Sequence, residues 1–169
     1  MSNDDLSPWL ARGLYLFGFA LILHAKIDLF TTVWPMRPGE LAWRYGFLGL
    51  SAGYLQTPTL GLLLIGATGY WQDNALVVRL TGVAYLASAL VLLGVLGIFG
   101  LDVLAMRDLR PPEAQAGVLA GGVFQEVKYF VSTFVFAFLG LGAIKTAGRM
   151  SEFARRAPQK AGIVSTAKP

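Results

Sequence analysis

Residues 14–34 read LYLFGFALILHAKIDLFTTVW, an apolar stretch long enough to cross a lipid bilayer. A helix needs about 20 mostly apolar residues to span roughly 30 Å of hydrocarbon. Three ionisable residues, His24, Lys26 and Asp28, nevertheless lie in the second half of this stretch. A charged side chain at the centre of a membrane helix costs about 2.5 to 3.5 kcal/mol on insertion scales. These residues therefore predict polar partners, a wet cavity or a position close to the headgroups.

The composition agrees with a membrane protein. Of the 169 residues, 55% are hydrophobic and 14% are charged, whereas about 25% are charged in soluble domains. The net charge of +4 comes largely from a basic C-terminal tail, since six of the fourteen basic residues lie in the last 25 positions. We interpret this charge as membrane topology, with no nucleic acid as partner. With no cysteine and one histidine, thiolate metal sites and bis-histidine haem are excluded, and we predict no metal and no cofactor.

Four stretches reach the length of a membrane span, and we place them at residues 9–34, 43–71, 80–101 and 123–144. The sequence thus predicts an all-α integral membrane four-helix bundle over residues 1–147, followed by a basic cytoplasmic tail at 148–169. The tail has two interpretations, a disordered segment or a helix lying on the membrane surface.

Prolines mark the predicted interruptions. Pro35 and Pro38 end the first helix, because proline lacks an amide donor and disfavours helical geometry in the residue before it. Pro58 predicts a kink in the second span for the same reason. Residues 106–122 contain a Pro–Pro and a Gly–Gly pair, which predict an irregular connector between the third and fourth spans.

Small residues recur along two of the spans, and such stripes let helices approach closely in a membrane. We expect these packing faces to contain Gly49, Gly53, Thr57 and Gly61 in the second span and Gly94, Gly97 and Gly100 in the third. Their contacts lie either within this bundle or with another subunit or a second copy of the chain.

The orientation follows from the basic residues, because cytoplasmic segments near a membrane carry excess Lys and Arg. Four spans place both termini on one side. That side holds eight basic residues, Arg12, Arg79, Lys145, Arg149, Arg155, Arg156, Lys160 and Lys168. The opposite side holds four, Arg37, Arg44, Arg107 and Arg110. We therefore predict that both termini are cytoplasmic and that the chain is a multi-pass protein of the cell inner membrane.

In this orientation the polar residues of different spans share one depth near the outer surface. We expect an outer polar cluster of His24, Lys26, Asp28, Arg44, Asp102, Gln125, Glu126 and Lys128. His24 and Asp28 are four residues apart and share a helix face, while Lys26 can meet Glu126, and Asp28 with Lys128 is an equally admissible pair. The cluster is an ion-paired network that fixes helix register, a site for a ligand, lipid headgroup or subunit, or a proton relay.

One stretch resembles a known family. The run WPMRPGELAWRYGFLGLSAGYLQTPTLGLLL, at about residues 34–64, contains a proline loop, a following tryptophan and a TP-x-LGL helix. It resembles the small HpsJ-like membrane proteins associated with cyanobacterial polysaccharide export. The resemblance implies an accessory role in envelope assembly, and no functional residue is carried over from it.

No recognisable nucleophile, metal motif or phosphate-binding loop is present in the sequence, and we assign no catalytic residue. The sequence favours a non-enzymatic accessory or scaffold subunit that binds membrane lipids and other membrane proteins, or forms a homo-oligomer. The alternative is a small transporter or channel component, with His24, Asp28, Glu126 and Lys128 forming a protonatable site around Pro58. A third hypothesis is an envelope enzyme that acts on a lipid-linked substrate.

Overall fold

A computed structural model describes the backbone of residues 7–163 and the side chains of residues 7–154. Over this range every regular element is a helix. The helices are α1 (Pro8–Val33), α2 (Leu41–Ser51), a short 3₁₀ turn (Gly53–Leu55), α3 (Gln56–Trp71), α4 (Ala75–Asp108) and α5 (Pro112–Ile163).

Four helical stretches in the described residues are long and apolar enough to cross a membrane. They are α1, the interrupted helix Leu41–Trp71, α4 and the part of α5 from Pro112 to Ala154. Large apolar side chains cover the outside of the bundle, with Phe138 78%, Leu90 72% and Leu101 70% exposed. Lipid tails accept such a surface and water does not. The chain is therefore an all-helical, multi-pass membrane protein.

Local sequence explains where α1 begins and ends. The Ser7 hydroxyl accepts a hydrogen bond from the Leu10 amide at 3.3 Å, and Pro8 occupies the first helical position. At the other end Trp34 is extended because it precedes Pro35. The predicted proline stop is confirmed.

The second span is interrupted in the turn that precedes Pro58. The α-helix ends at Ser51, continues as the 3₁₀ turn and resumes at Gln56. Pro58 has no amide to donate to the carbonyl of Tyr54, so a regular α-helix would leave that carbonyl unpaired here. The hydroxyl of Thr59 donates to the carbonyl of Leu55 at 2.5 Å, which adds a bond at the break.

The prediction of an irregular connector over residues 106–122 is wrong. α4 continues to Asp108 and α5 begins at Pro112, so residues 109–111 alone separate them. Pro112 stands at the start of a helix, where its missing amide costs no hydrogen bond. α5 also continues through the start of the predicted tail as far as Ile163. The side chains of Arg155, Arg156, Lys160 and Lys168 lie outside the described residues.

Two pairs of glycines mark where the helices cross most closely. A Cβ atom added to Gly61 on α3 would lie 2.5 Å from the carbonyl oxygen of Gly18 on α1. A Cβ added to Gly82 on α4 would lie 3.0 Å from the carbonyl oxygen of Gly140 on α5, and the reverse distance is 2.9 Å. These distances are too short, or nearly too short, for a real Cβ atom. The two backbones are therefore in direct contact at both crossings.

Most of the small residues predicted to form packing faces do not lie at these two crossings. In the described part of the chain, a Cβ added to Gly49, Gly53, Gly94 or Gly97 would meet no atom of another element within 4 Å, so these glycines form no close helix crossing there. Thr57 is half-buried. Only Gly61 and Gly100 of the predicted set make close approaches, Gly61 to Gly18 and Gly100 to the side chain of Glu126.

Aromatic side chains fill the centre of the bundle between α2, α4 and α5. Phe99 and Tyr129 are each 1% exposed and meet edge to face with centroids 5.9 Å apart. Tyr85 packs on Phe136 one layer further along, at 5.4 Å. The buried tyrosine rings carry hydroxyls that need hydrogen-bond partners, and these partners lie in the second span, as described below.

We predict that Gly82→Leu lowers the melting temperature in detergent by at least about 5 °C, because the added side chain separates α4 from α5. Gly94→Leu, on the same helix but facing open space, should change it by less than about 2 °C. Circular dichroism melts of the two variants compare them directly. Equal melting temperatures would show that the Gly82–Gly140 crossing is not close.

Candidate functional site

An ion pair with two hydrogen bonds joins α2 to α4. The Arg44 guanidinium donates two hydrogen bonds to the Asp102 carboxylate, from Nε to Oδ2 at 2.6 Å and from Nη2 to Oδ1 at 2.5 Å. The Asp102 side chain is 4% exposed and that of Arg44 is 37% exposed. This planar two-bond geometry is what arginine offers to a carboxylate. The ion pair fixes the start of α2 against the last turns of α4.

The loop before α2 places Arg44. The Trp43 indole N–H donates to the carbonyl of Val33 at 3.0 Å, which fastens the start of α2 to the end of α1. Arg44 Nη1 also donates to the Pro38 carbonyl at 3.4 Å. The first bond therefore joins the two ends of the α1–α2 loop, and the second holds the middle of the loop against α2.

His24, Lys26 and Asp28 are not part of this ion pair. All three side chains are exposed on α1, and none has a hydrogen bond or ion pair with residues 7–154. The hydroxyls of Thr31 and Thr32 donate to the backbone carbonyl of Asp28, and its carboxylate has no ion pair with the described residues. The His24–Asp28 pair considered from the sequence does not form within this chain.

The position of α1 explains why. Three of its four buried residues, Ala11, Gly18 and Ala25, recur at seven-residue intervals and form one narrow face. α1 packs mainly on α3. The main partner of α5 is instead α4. The predicted pairs of Lys26 with Glu126 and of Asp28 with Lys128 are therefore wrong for the described chain.

The polar residues of α5 point to different neighbours. The carboxylate of Glu126 lies over Gly100 on α4, where Oε1 would be 2.7 Å from an added Cβ. The Lys128 ammonium lies 4.6 Å from the ring centroid of Phe124, one turn earlier on the same helix. The side-chain oxygen of Gln125 is buried and has no hydrogen-bond partner among the described residues. The outer polar cluster is thus one ion pair plus separate side chains, and it is not a continuous network.

Two tyrosine hydroxyls were missed by the sequence analysis. Tyr129 on α5 donates to the carbonyl of Leu48, and Tyr85 on α4 donates to the carbonyl of Thr59 at 3.2 Å. They reach the second span on either side of its interruption. The available signal was a tyrosine inside an apolar span, since its hydroxyl must find an acceptor there.

The described side chains do not bring three metal-ligating groups together. His24, the single histidine, has no hydrogen-bonded neighbour that it could activate. The arrangement offers an ion pair in which the Asp102 carboxylate is buried and the Arg44 side chain is partly exposed, and exposed polar groups on α1 that remain available to a partner.

No protein-family model, curated protein or solved structure matches this chain. The resemblance noted over residues 34–64 stays a prediction.

We predict that Arg44→Met lowers the melting temperature by roughly 5 to 10 °C, because it leaves the buried Asp102 carboxylate without its partner. Replacing both residues, Arg44→Met with Asp102→Leu, should restore most of the loss. The matched control is Arg107→Met, which removes an ion pair with the exposed Asp108 and should cost about 2 °C or less. A double variant as unstable as Arg44→Met alone would contradict the assignment.

Proposed function

We propose that this chain is a non-enzymatic accessory or scaffold subunit that binds another membrane protein through the outward face of α1. The observation that carries the proposal is the exposure of His24 and Asp28, without any partner in the described residues, on a helix long enough to span the membrane. A polar group facing lipid is costly, and membrane proteins normally direct such groups toward protein or water.

The outward face has the spacing of a helix-packing surface. The residues of this face recur at intervals of four and three along α1, and all of them are exposed. They lie on the side of the helix away from the buried Ala11–Gly18–Ala25 face. We define the outward face of α1 as Gly13, Phe17, Ala20, His24, Ile27 and Thr31, flanked by Asp28. Gly13 and Ala20 permit close approach of a second helix, and His24 and Thr31 offer hydrogen bonds across it.

A partner helix would cover the exposed polar side chains of α1 and give them hydrogen-bond partners. Asp28 lies one turn from His24, at the edge of the outward face, and can accept hydrogen bonds from a partner there. Lys26 lies about 200° around the helix from His24. Its flexible stem lets the ammonium reach the headgroups while the stem lies along the apolar surface.

The membrane placement is also part of the proposal. The excess of Lys and Arg on the side of the termini supports cytoplasmic termini and the inner membrane as the location. In that orientation α1 ends, and α2 begins, at the outer surface, so His24 and Asp28 lie in the outer half of their span. The polar face of α1 would then meet a partner in the outer leaflet.

The transporter alternative is less well supported, because its four residues are dispersed. His24 and Asp28 are exposed on α1, Glu126 lies over Gly100 and Lys128 lies over Phe124. A proton relay requires groups within hydrogen-bond reach of each other or of a shared water. The docking function needs no such assembly within the chain.

Purification from the native membrane in a mild detergent tests the docking function. We expect an assembly larger than the 18.2 kDa chain, containing one partner at fixed stoichiometry by light scattering and mass spectrometry. The variant His24→Leu with Asp28→Leu should release the partner, because it removes the polar contacts of the outward face. The control Glu126→Gln neutralises a carboxyl on another helix and should keep the assembly.

Two results would contradict the proposal. One is a wild-type chain that is monomeric under the gentlest conditions. The other is a complex that survives the α1 variant unchanged while the variant remains folded.

A further inference from the structure

A groove with a volume of about 560 Å³ runs between the second span and α5. One wall is formed by residues within 52–60 and the other by residues within 127–136. Its lining is mainly aliphatic, and Leu60, Val127, Val131 and Val135 are between 42% and 59% exposed. The groove therefore opens on the outside of the bundle, where acyl chains take the place of solvent.

The groove runs lengthwise between the second span and α5. The second span and α5 run in the same direction, and contacts near both ends of the groove show which of their residues lie at the same level. At one end Tyr129 donates to Leu48, and at the other Tyr85 contacts both Thr59 and Phe136. From Lys128 to Phe136 the helix rises by eight residue steps, or about 12 Å. This length is close to half of a hydrocarbon core of about 30 Å, which corresponds to one leaflet.

Lys128 is the one cation among the described residues that line the groove, and it lies at the end of the groove nearer the start of α5. Lys128 directs its ammonium over Phe124, one turn further toward that start, and therefore toward the level of the Arg44–Asp102 pair. Among the described residues no carboxylate pairs with Lys128, since the neighbouring Glu126 lies over Gly100 on the α4 side. The cation is thus left available for an anion at the mouth of an apolar groove.

We propose that this groove binds one acyl chain of an anionic phospholipid, with Lys128 contacting the headgroup phosphate. The apolar length, the lateral opening and the unpaired cation at one end match the two parts of such a lipid. Gln56, Thr59 and Ser132 add small polar groups to the lining. The site is independent of the outward face of α1 and goes beyond the docking function proposed above.

The test is native mass spectrometry of the purified full-length chain, titrated with phosphatidylglycerol or with phosphatidylcholine of the same acyl chains. We expect one phosphatidylglycerol per chain, retained about fivefold more strongly than phosphatidylcholine. Lys128→Met should abolish this preference. Lys26→Met is the matched control, because Lys26 is an exposed lysine of another span, and it should leave the preference unchanged.

A second variant tests the acyl-chain part separately. Val131→Trp fills the groove while leaving the lysine in place, so it should remove the bound lipid without lowering the melting temperature. Equal effects of Lys128→Met and Lys26→Met would overturn the proposal, as would full lipid retention in folded Val131→Trp. Competition by inorganic phosphate as strong as that by phosphatidylglycerol would also overturn it, because it would leave no role for the acyl chain.

Discussion

Close contact between backbones at glycine is the constraint on which this fold depends. Within a bilayer the tails are as apolar as leucine, so burial of apolar side chains gives helices little reason to associate. Gly18 with Gly61, and Gly82 with Gly140, remove the side chains that would hold the backbones apart. Dispersion contacts can then form along each crossing.

These two crossings also determine what stays uncovered. The Gly18–Gly61 crossing uses one face of α1, and α3 is the main partner of this helix in the bundle. Most of the remaining surface of α1, including His24 and Asp28, is exposed. By contrast, Asp102 has its carboxylate buried against Arg44. The chain thus pairs the buried carboxylate of Asp102 and leaves the polar groups of α1 open, which is the arrangement that the proposed docking function requires.

Sequence predicted the features that depend on distance along the chain. The four spans follow from apolar length, and the end of α1 follows from Pro35, since both are local properties. Arg44 and Asp102 were expected at one depth, but depth alone did not select them as partners from the other polar residues. The correct glycines were also hard to choose, because a four-residue spacing shows that residues share a face and does not show what the face contacts. Gly49 and Gly94 are open, whereas Gly82 and Gly140, which belong to no predicted stripe, form a crossing.

Photo-cross-linking in intact membranes tests most directly whether the outward face of α1 is covered by protein. A photoreactive amino acid at Ile27, on that face, is compared with one at Leu90, which is 72% exposed on α4. The account predicts a discrete protein adduct of defined mass from Ile27 and only lipid adducts from Leu90. Lipid adducts alone from both positions would contradict it, because the polar groups of α1 would then face the bilayer without a partner.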